Sequence, residues 1–350
     1  MTSHARSSLR VALRFAVLAL TVAAVLTLGL GQAVAKKPKQ NVVCGQVITH
    51  NTHVKNDLID CPGDGLVIGA SNIKVNLGGH TIDGVNNSAA DGINNKGGFD
   101  NVKIEHGTVQ QFGNGVELIG ADNNKLSLLE VTQNHDGIRL SGSNLNRVDH
   151  DAAFENFDGI FLVNSDHNRV THDKAYSNGS SGIVLQFGND FNKVDHNSAH
   201  DNSAWGITSD GSTHDVYDHN KVFKNNTAGI EPFNGSMLKI TRNRAFANRI
   251  GIELFNTDAS TLRDNKVNSN TLDGIHTFTG SSGDLLAKNQ TNKNGADGID
   301  VGDAGNKLTK NHSDKNVNLG IFAFAGNVDG GKNTAHGNGN PLECVGVACH

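Results

Sequence analysis

Two glutamates, a histidine and an aspartate in the second half of the sequence recur at nearly constant spacing. Glu231, Glu253, His276 and Asp300 follow one another with a period of about 23 residues, which suggests successive repeats. If these repeats are successive turns of a stacked fold, Glu231 and Glu253 would lie about 5 Å apart, like the carboxyl pair of a retaining glycosidase. Glu253 and Asp300 would be about 9 to 10 Å apart, at the upper limit for an inverting pair. His276 would be the base of a lyase or an epimerase.

Aromatic residues accompany these polar residues at the same spacing. Phe233, Phe255 and Phe278 each follow the polar residue of their repeat by two positions. Phe324 holds the equivalent position further on, and Trp205, the single tryptophan, lies one repeat earlier. Because aromatic rings pack on the apolar faces of sugars, we predict that these five residues bind substrate. A solvated sheet face on which the phenylalanine rings cover one another remains the alternative.

Aspartates that precede Gly-Ile pairs form a second set. Asp136 with Asp158, and Asp273 with Asp297, would lie one turn apart. Carboxylate oxygens at this spacing could hold Ca²⁺. Turn chemistry explains an aspartate before glycine equally well, and the calcium-binding G-G-x-G-x-D repeat is missing. We therefore expect no required cofactor, with Ca²⁺ as the candidate metal for these four residues.

A column of histidines is the third set. His150, His172, His196 and His219 recur with the same period as the acidic residues. Imidazoles stacked about 5 Å apart could bind Cu²⁺ or Zn²⁺. A polar corner of the fold would explain them as well, and neither methionine nor cysteine stands beside them to bind Cu⁺.

A repeat of about 23 residues must position all of these groups. Glycine followed by Ile or Val occurs eleven times at intervals of about 22 to 24 residues, and a fixed period of this length indicates stacked units. The glycines are Gly92, Gly115, Gly137, Gly159, Gly182, Gly206, Gly229, Gly251, Gly274, Gly298 and Gly320. Each copy contains three short alternating apolar segments separated by Asn, Gly, Asp and His, which is the pattern of strands and turns. We therefore predict an all-β chain, a single-stranded right-handed parallel β-helix of about 11 to 13 coils of about 22 to 24 residues.

Asparagine recurs in register with the glycines and supports the same fold. One set precedes the Gly-Ile pairs and a second follows the middle strand. The first set is Asn134, Asn156, Asn178, Asn202, Asn225, Asn248, Asn270, Asn294 and Asn316, and the second is Asn197, Asn243, Asn265, Asn289 and Asn311. In stacked turns these amides would hydrogen-bond as ladders. We also expect these asparagines to occupy the left-handed backbone conformation that the corners require.

The Gly-Ile repeats, together with the segment from Asp60 to Gly84 that contains Asn76-Leu77-Gly78-Gly79-His80, resemble the secreted right-handed parallel β-helix proteins of the pectin-lyase-like superfamily. The resemblance covers most of the chain after residue 40. It implies the fold, whereas the superfamily's activities range over polysaccharide lyases, glycosidases, uronan epimerases, a copper-delivery accessory protein and adhesins. The Asp-Asp, Gly-His-Gly and Arg-x-Lys set of pectin hydrolases and the Asp-Pro-His-Glu run of alginate epimerases are missing from the sequence.

The two ends of the chain carry different signals. Three arginines and an apolar run precede Ala33-Val34-Ala35, so we predict a signal peptide over residues 1–35 and a secreted or cell-surface protein. Residues 36–90 would form an N-terminal cap and the first coils, residues 91–335 the repeats, and residues 336–350 a C-terminal cap. We predict disulfides between the locally spaced cysteines, and an uncleaved membrane anchor remains the alternative to the signal peptide. The pairs are Cys44–Cys61 and Cys344–Cys349.

Charge and the uniform repeat length restrict the function. Loss of the three arginines takes the net charge from −5 to −8, which speaks against nucleic acid as a partner. After signal cleavage we expect a monomer without membrane contact that binds polysaccharide and processes it by lyase, glycosidase or epimerase chemistry. The nearly constant repeat length leaves no room for the long insertions that wall a catalytic cleft. A non-catalytic structural or adhesion rod is therefore the first alternative, and a copper accessory protein is the second.

Overall fold

The computed structural model describes residues 40–278 and 280–350. The predicted signal peptide lies outside these residues. Within them every regular element is a β-strand, and the strands build a right-handed parallel β-solenoid of about 13 turns. The predicted fold is therefore confirmed. Among the described residues the structure contains no helix with the length and hydrophobicity needed to cross a membrane.

Each turn contributes strands to three parallel sheets, named here sheets A, B and C. Sheet A, which contains the Gly-Ile strands, comprises Gln46–Ile48, Leu66–Ile68, Thr81–Asn95, Lys103–Ile119, Asp136–Ser141, Asp158–Val163, Ile183–Gln186, Ile207–Asp210, Ala228–Phe233, Ile250–Phe255, Ile275–Phe278, Ile299–Val301, Ile321–Ala323 and Cys344–Val345. Sheet B adds Thr52–His53, Lys74–Asn76, Lys125–Thr132, Arg147–Asp149, Arg169–Thr171, Lys193–Asp195, Val216–Asp218, Lys239–Thr241, Thr261–Arg263, Leu285–Ala287, Lys307–Thr309 and Val328–Asp329. Sheet C adds Leu58–Cys61, Ala152–Phe154, Lys174–Tyr176, Ser198–His200, Lys221–Phe223, Arg244–Phe246, Lys266–Asn268, Gln290–Asn292, His312–Asp314 and Thr334–His336. The long strands Thr81–Asn95, Lys103–Ile119 and Lys125–Thr132 run on from one sheet into the next.

The core is a column of apolar side chains inside the solenoid. In sheet A, Ile138 pairs with Ile160 and Ile160 with Ile183, so equivalent residues of successive turns lie directly above one another. Ile138 and Leu140 are fully buried, whereas Arg139 between them faces outward. This alternation is what a strand with one buried face requires.

The asparagine ladders are present as predicted. The backbone N–H of Asn156 donates to Oδ1 of Asn178 at 3.1 Å, and its Nδ2 donates to the Val131 carbonyl at 3.0 Å. Asn197, Asn220 and Asn243 repeat this arrangement in the second ladder. A third ladder, which contains Asn124, Asn146, Asn168 and Asn192, was not expected. The ladders satisfy buried backbone donors at the corners, where the sheets cannot.

The expectation that the ladder asparagines take the left-handed conformation is wrong. The residue immediately before the ladder residue has positive φ instead, for example Gln133 (56°) before Asn134 and His196 (61°) before Asn197. The reason is geometric, because the left-handed residue turns the chain and thereby directs the next side chain inward. Its own side chain is left on the outer surface of the corner.

Both ends of the solenoid are crosslinked. The structure forms the two expected disulfides, Cys44–Cys61 and Cys344–Cys349. Cys61 is fully buried against the first turns, and Cys344 begins the last strand of sheet A, where it pairs with Ile321. The crosslinks therefore secure the exposed edges of the first and last turns.

Candidate functional site

The outward face of sheet A brings the four predicted catalytic residues into one row. Glu253 pairs with His276 and His276 with Asp300 across successive strands. Nδ1 of His276 lies 3.0 Å from Oε1 of Glu253, and its Nε2 lies 4.0 Å from Oδ2 of Asp300. Glu231 lies one turn before Glu253, since the preceding Ile230 and Ile252 are paired. The imidazole thus bridges two carboxylates of neighbouring turns.

Trp205 reaches this row from the preceding turn. Its indole N–H donates a hydrogen bond to Oε2 of Glu231, and its ring meets that of Phe233 edge-on with centroids 5.9 Å apart. Glu231 is 5% exposed, whereas the side chains of Glu253, His276 and Asp300 are 13%, 17% and 27% exposed. The row is therefore increasingly accessible toward Asp300.

Burial and mutual charge shift the acidities of these groups. Burial, reinforced by the charge of Glu253, raises the pKa of Glu231 to about 7. Burial, with the charges of Asp273 and Asp297, raises the pKa of Asp300 to about 6. Although burial alone would lower it, the pKa of His276 is raised by its hydrogen bond to Glu253 and by Asp300. The row therefore holds protons near neutral pH, as groups that transfer protons require.

Only some of the aromatic residues predicted to bind substrate pack against one another in the structure. Phe233 and Phe255 have centroids 5.7 Å apart, and Phe255 and Phe278 stack at 5.3 Å with 16° between their planes. No ring among the described residues stacks on Phe324, because Gly302 occupies the position between it and Phe278. Stacked rings cover one another's faces, so a sugar can pack only on their edges or on a free terminal face.

A concave pocket of about 360 Å³ adjoins the row on the same sheet face. Trp205, Phe233, Phe161, Thr208 and Asp210 contribute to its lining. The sequence analysis identified Trp205 and Phe233 but not the pocket, which depends on small side chains in two neighbouring turns. The row and the pocket together form a continuous surface along the solenoid axis.

The predicted calcium ligands lie where the repeat places them. Asp136 and Asp158 are paired neighbours, and ligand atoms of Asp273, Asp297 and Asp300 lie within 4.8 Å of one another. Oδ1 of Asp273 accepts the backbone N–H of Asp297 at 2.8 Å. These aspartates therefore have the turn role that the sequence left open, and Ca²⁺ binding stays a prediction.

The four histidines form a continuous stack on one corner of the solenoid. The ring centroids of successive residues His150, His172, His196 and His219 are 4.7, 5.0 and 4.9 Å apart, with nearly parallel planes. Ligand atoms of Asp149, His150 and His172 lie within 4.8 Å of one another. Imidazole and carboxylate donors suit Cu²⁺, but nitrogen lone pairs lie in the ring planes, so parallel rings must rotate before two of them can bind one ion.

A second charged cluster on sheet A escaped the sequence analysis. Lys96 lies 2.7 Å from Asp91 and 2.8 Å from Glu117, while Arg139 lies 2.7 Å from Asp136. These residues line a pocket of about 420 Å³ in the early turns. Lys96 lies four residues after Gly92, the position that Phe233 and Phe255 hold after their own glycines, but it is the one lysine of that column, so no recurring residue type marked it.

An aromatic column on sheet C was also missed. It contains Phe154, Tyr176, His200, Phe223 and Phe246, with successive centroids 5.0, 5.2, 4.5 and 5.0 Å apart. Its members share the period of the Gly-Ile pairs, and that spacing would have revealed the column. Since its rings cover one another's faces, the column joins successive turns.

Comparison with solved structures shows the same fold. The chain is similar to the mannuronan C-5 epimerase AlgE4 A-module of Azotobacter vinelandii, with 14% identity, a TM-score of 0.60, and 87% of this chain and 91% of that chain covered. A double mutant of the periplasmic alginate epimerase AlgG is similar with 15% identity, a TM-score of 0.55, and 83% and 79% covered. The Dettilon tailspike protein follows with 14% identity, a TM-score of 0.53, and 84% and 60% covered.

Comparison of the sequence with curated proteins and with protein-family models identifies the family of the chain. No curated protein matches it significantly. A family model described as right handed beta helix region matches residues 218–350. A second model, described as periplasmic copper-binding protein (NosD), matches residues 79–255, which is half of the chain. The chain therefore belongs to the NosD family of β-helix proteins.

Proposed function

We propose that this protein binds polysaccharide along the outward face of sheet A and cleaves it by glycoside hydrolysis at the row from Glu231 to Asp300. The observation that carries the proposal is the imidazole of His276, held between Glu253 and Asp300 beside a column of phenylalanine rings. Two of the similar structures are named as epimerases of mannuronan or alginate, so polysaccharides are substrates of proteins with this fold.

The chemistry divides between the two most exposed carboxyl groups. Asp300, with its pKa raised to about 6, donates a proton to the leaving oxygen. Glu253 acts as the general base on a water molecule. Two turns separate these residues, about 9 to 10 Å, which is the upper end of the range for inverting enzymes. His276 lies between them and, as an imidazolium ion, stabilises the negative charge of Glu253.

Substitution of the two acids tests the assignment. Asp300→Asn and Glu253→Gln should each lower the release of reducing ends by about 10²-fold or more, while binding to a glycan array is kept. Glu130→Gln is the matched control, because Glu130 is an exposed glutamate of the long strand Lys125–Thr132, away from sheet A. Unchanged turnover in both variants would remove the catalytic assignment. Unsaturated uronide products would show that the protein is a lyase and not a hydrolase. Binding without turnover in the wild type would instead support the adhesion rod.

Copper binding at the histidine stack is a second candidate function. The family description and the proximity of Asp149, His150 and His172 favour it. The rings of these histidines are exposed, so they can rotate to present their nitrogens to one ion. Calorimetric titration with Cu²⁺ should show binding that is lost in His172→Ala and kept in His312→Ala, a histidine outside the stack. Equal binding by both variants would exclude the stack as the site.

We propose that the protein acts outside the cytoplasm as a monomer. Two disulfides, which persist in oxidising compartments, and the description of its family as periplasmic support this location. Mass spectrometry of the exported protein should find an N-terminus at Lys36, after removal of residues 1–35. Light scattering should give the mass of one chain, and a dimer would contradict the monomer.

A further inference from the structure

The phenylalanine column on sheet A is interrupted at one turn. Phe255 and Phe278 stack, and the next position is Gly302, followed by Phe324. The ladder itself continues through the interruption, because Gly302 donates its N–H to the Thr277 carbonyl and Phe324 donates to the Val301 carbonyl. Phe278 and Phe324 are 44% and 53% exposed. Gly302 and Phe324 directly follow the strands Ile299–Val301 and Ile321–Ala323, so the gap is a missing side chain at the end of these strands.

The spacing of the turns leaves a gap in which one sugar ring would fit. Phe278 and Phe324 are two turns apart, about 9.6 Å along the axis. Carbon atoms in contact lie about 3.5 to 4.0 Å apart, so a puckered six-membered ring fits between two aromatic rings at this separation. The backbone of Gly302 forms the floor, and Asp300, two residues earlier on the same face, lies at its side.

The surroundings of the gap are acidic. Ligand oxygens of Asp273, Asp297 and Asp300 lie within 4.8 Å of one another, and Glu253 is held at His276. The groups near the gap therefore comprise one imidazole and four carboxyl groups. A carboxylate on a sugar at this position would be repelled, whereas sugar hydroxyl groups would find acceptors.

We propose that the gap between Phe278 and Phe324 over Gly302 is a subsite for one uncharged pyranose ring, and that the protein acts on neutral glycans rather than polyuronates. The proposal rests on the polysaccharide function proposed above and specifies its substrate class. Asp300 stands beside the subsite, so the sugar held there provides the leaving oxygen.

Filling the gap tests the subsite. Gly302→Phe inserts a ring between Phe278 and Phe324, and an added Cβ would meet only the Thr277 oxygen among the described atoms, at 3.2 Å. Ser141→Phe is the matched control, because it adds the same ring to the same column of sheet A several turns away. Phe324→Ala removes one wall at an exposed position. Binding is measured with soluble neutral glucans, alginate and polygalacturonate, each with EDTA and with added Ca²⁺, and thermal unfolding confirms that each variant is folded.

The wild type should bind a neutral glucan more tightly than either polyuronate under both conditions. Gly302→Phe and Phe324→Ala should each weaken that binding by about tenfold, the effect of losing one or two ring contacts, while Ser141→Phe leaves it unchanged. Preference for a polyuronate would overturn the substrate class, and undiminished binding by folded Gly302→Phe would overturn the subsite. Absence of binding to any glycan by the wild type would instead refute the proposed function itself.

Discussion

The indole N–H of Trp205 donates a hydrogen bond to the carboxylate of Glu231 in the following turn. This bond favours the ionised form of Glu231, whereas burial and the nearby Glu253 favour its protonated form and prevail. The tryptophan therefore moderates the proton affinity of Glu231, which also lies beside Glu253 of the next turn. We therefore expect Trp205 to act as a positioning residue for the acidic row.

Replacing the indole should raise the proton affinity further. In Trp205→Phe the pKa of Glu231 should rise above about 7, because a hydrogen bond to the charged form is lost. Carboxyl-carbon NMR of protein labelled at glutamate measures this titration directly. Tyr176→Phe, which changes an aromatic residue on sheet C, should leave the titration midpoint of Glu231 unchanged. A titration midpoint that stays constant or falls would contradict the role of Trp205.

Two buried aspartates occupy the second ladder where later turns have asparagine. Burial raises the pKa of Asp173 well above its usual range and that of Asp151 to about 7. Oδ2 of Asp173 meets no hydrogen-bond donor among the described residues, whereas the amide of Asn197 donates to Val170 and Asn220. Aspartate at this position is therefore stable only when it carries a proton.

Asp173→Asn should consequently stabilise the fold at neutral pH by about 1 to 3 kcal/mol, since it supplies the missing donor. Because the folded state favours the protonated acids, their stabilisation is complete below 3.8, the ordinary aspartate pKa, and declines as the pH rises toward the raised pKa of each group, which for Asp151 is about 7. Denaturant unfolding at pH 4 and pH 8 should show the variant's advantage only at the higher pH. Asp264→Asn, at an exposed corner, is the control, and an equal gain at both pH values would contradict the argument.

The repeated glycine before isoleucine reflects close stacking of turns. A Cβ on Gly137 would lie 2.5 Å from the Gly159 carbonyl oxygen and 2.8 Å from Nδ2 of Asn156. Gly137→Ala should therefore lower the free energy of unfolding by about 1 to 3 kcal/mol or more. Gly63→Ala, whose Cβ meets no described atom within 4 Å, should have little effect. Chemical denaturation compares the two, and equal stability would show that the stack can relax.

Calcium binding remains testable at the cluster of Asp273, Asp297 and Asp300. Three carboxylates within reach of one ion should bind Ca²⁺ after chelator treatment, with affinity lost in Asp297→Asn. Isothermal calorimetry measures this directly. Asp264→Asn, at an exposed corner and outside both predicted calcium pairs, serves as the control. Heat signals that are identical for wild type and Asp297→Asn would assign these aspartates to turn chemistry alone.

Periodicity made much of this protein predictable. In a solenoid each residue's neighbour in the next turn is the residue one repeat later. The spacing of Gly137 and Gly159, or of Asn134 and Asn156, therefore predicts directly which residues are in contact. The same rule placed Glu253, His276 and Asp300 on one face. It did not identify Lys96 beside Asp91 and Glu117, because these residues stand at three different positions of the repeat and no recurring residue type marks their contact.

The sequence by itself determined the fold and the columns in which side chains lie, because these depend on register alone, and it indicated the disulfide pairs, because the cysteines of each pair are close in sequence. Only the tertiary structure decided what happens within a column. It placed the left-handed residue one position before the ladder asparagine, joined Trp205 to Glu231, stacked Phe255 on Phe278 and left the position of Gly302 without a side chain between Phe278 and Phe324. Those outcomes depend on side-chain direction and packing against adjacent turns, which spacing along a chain does not encode.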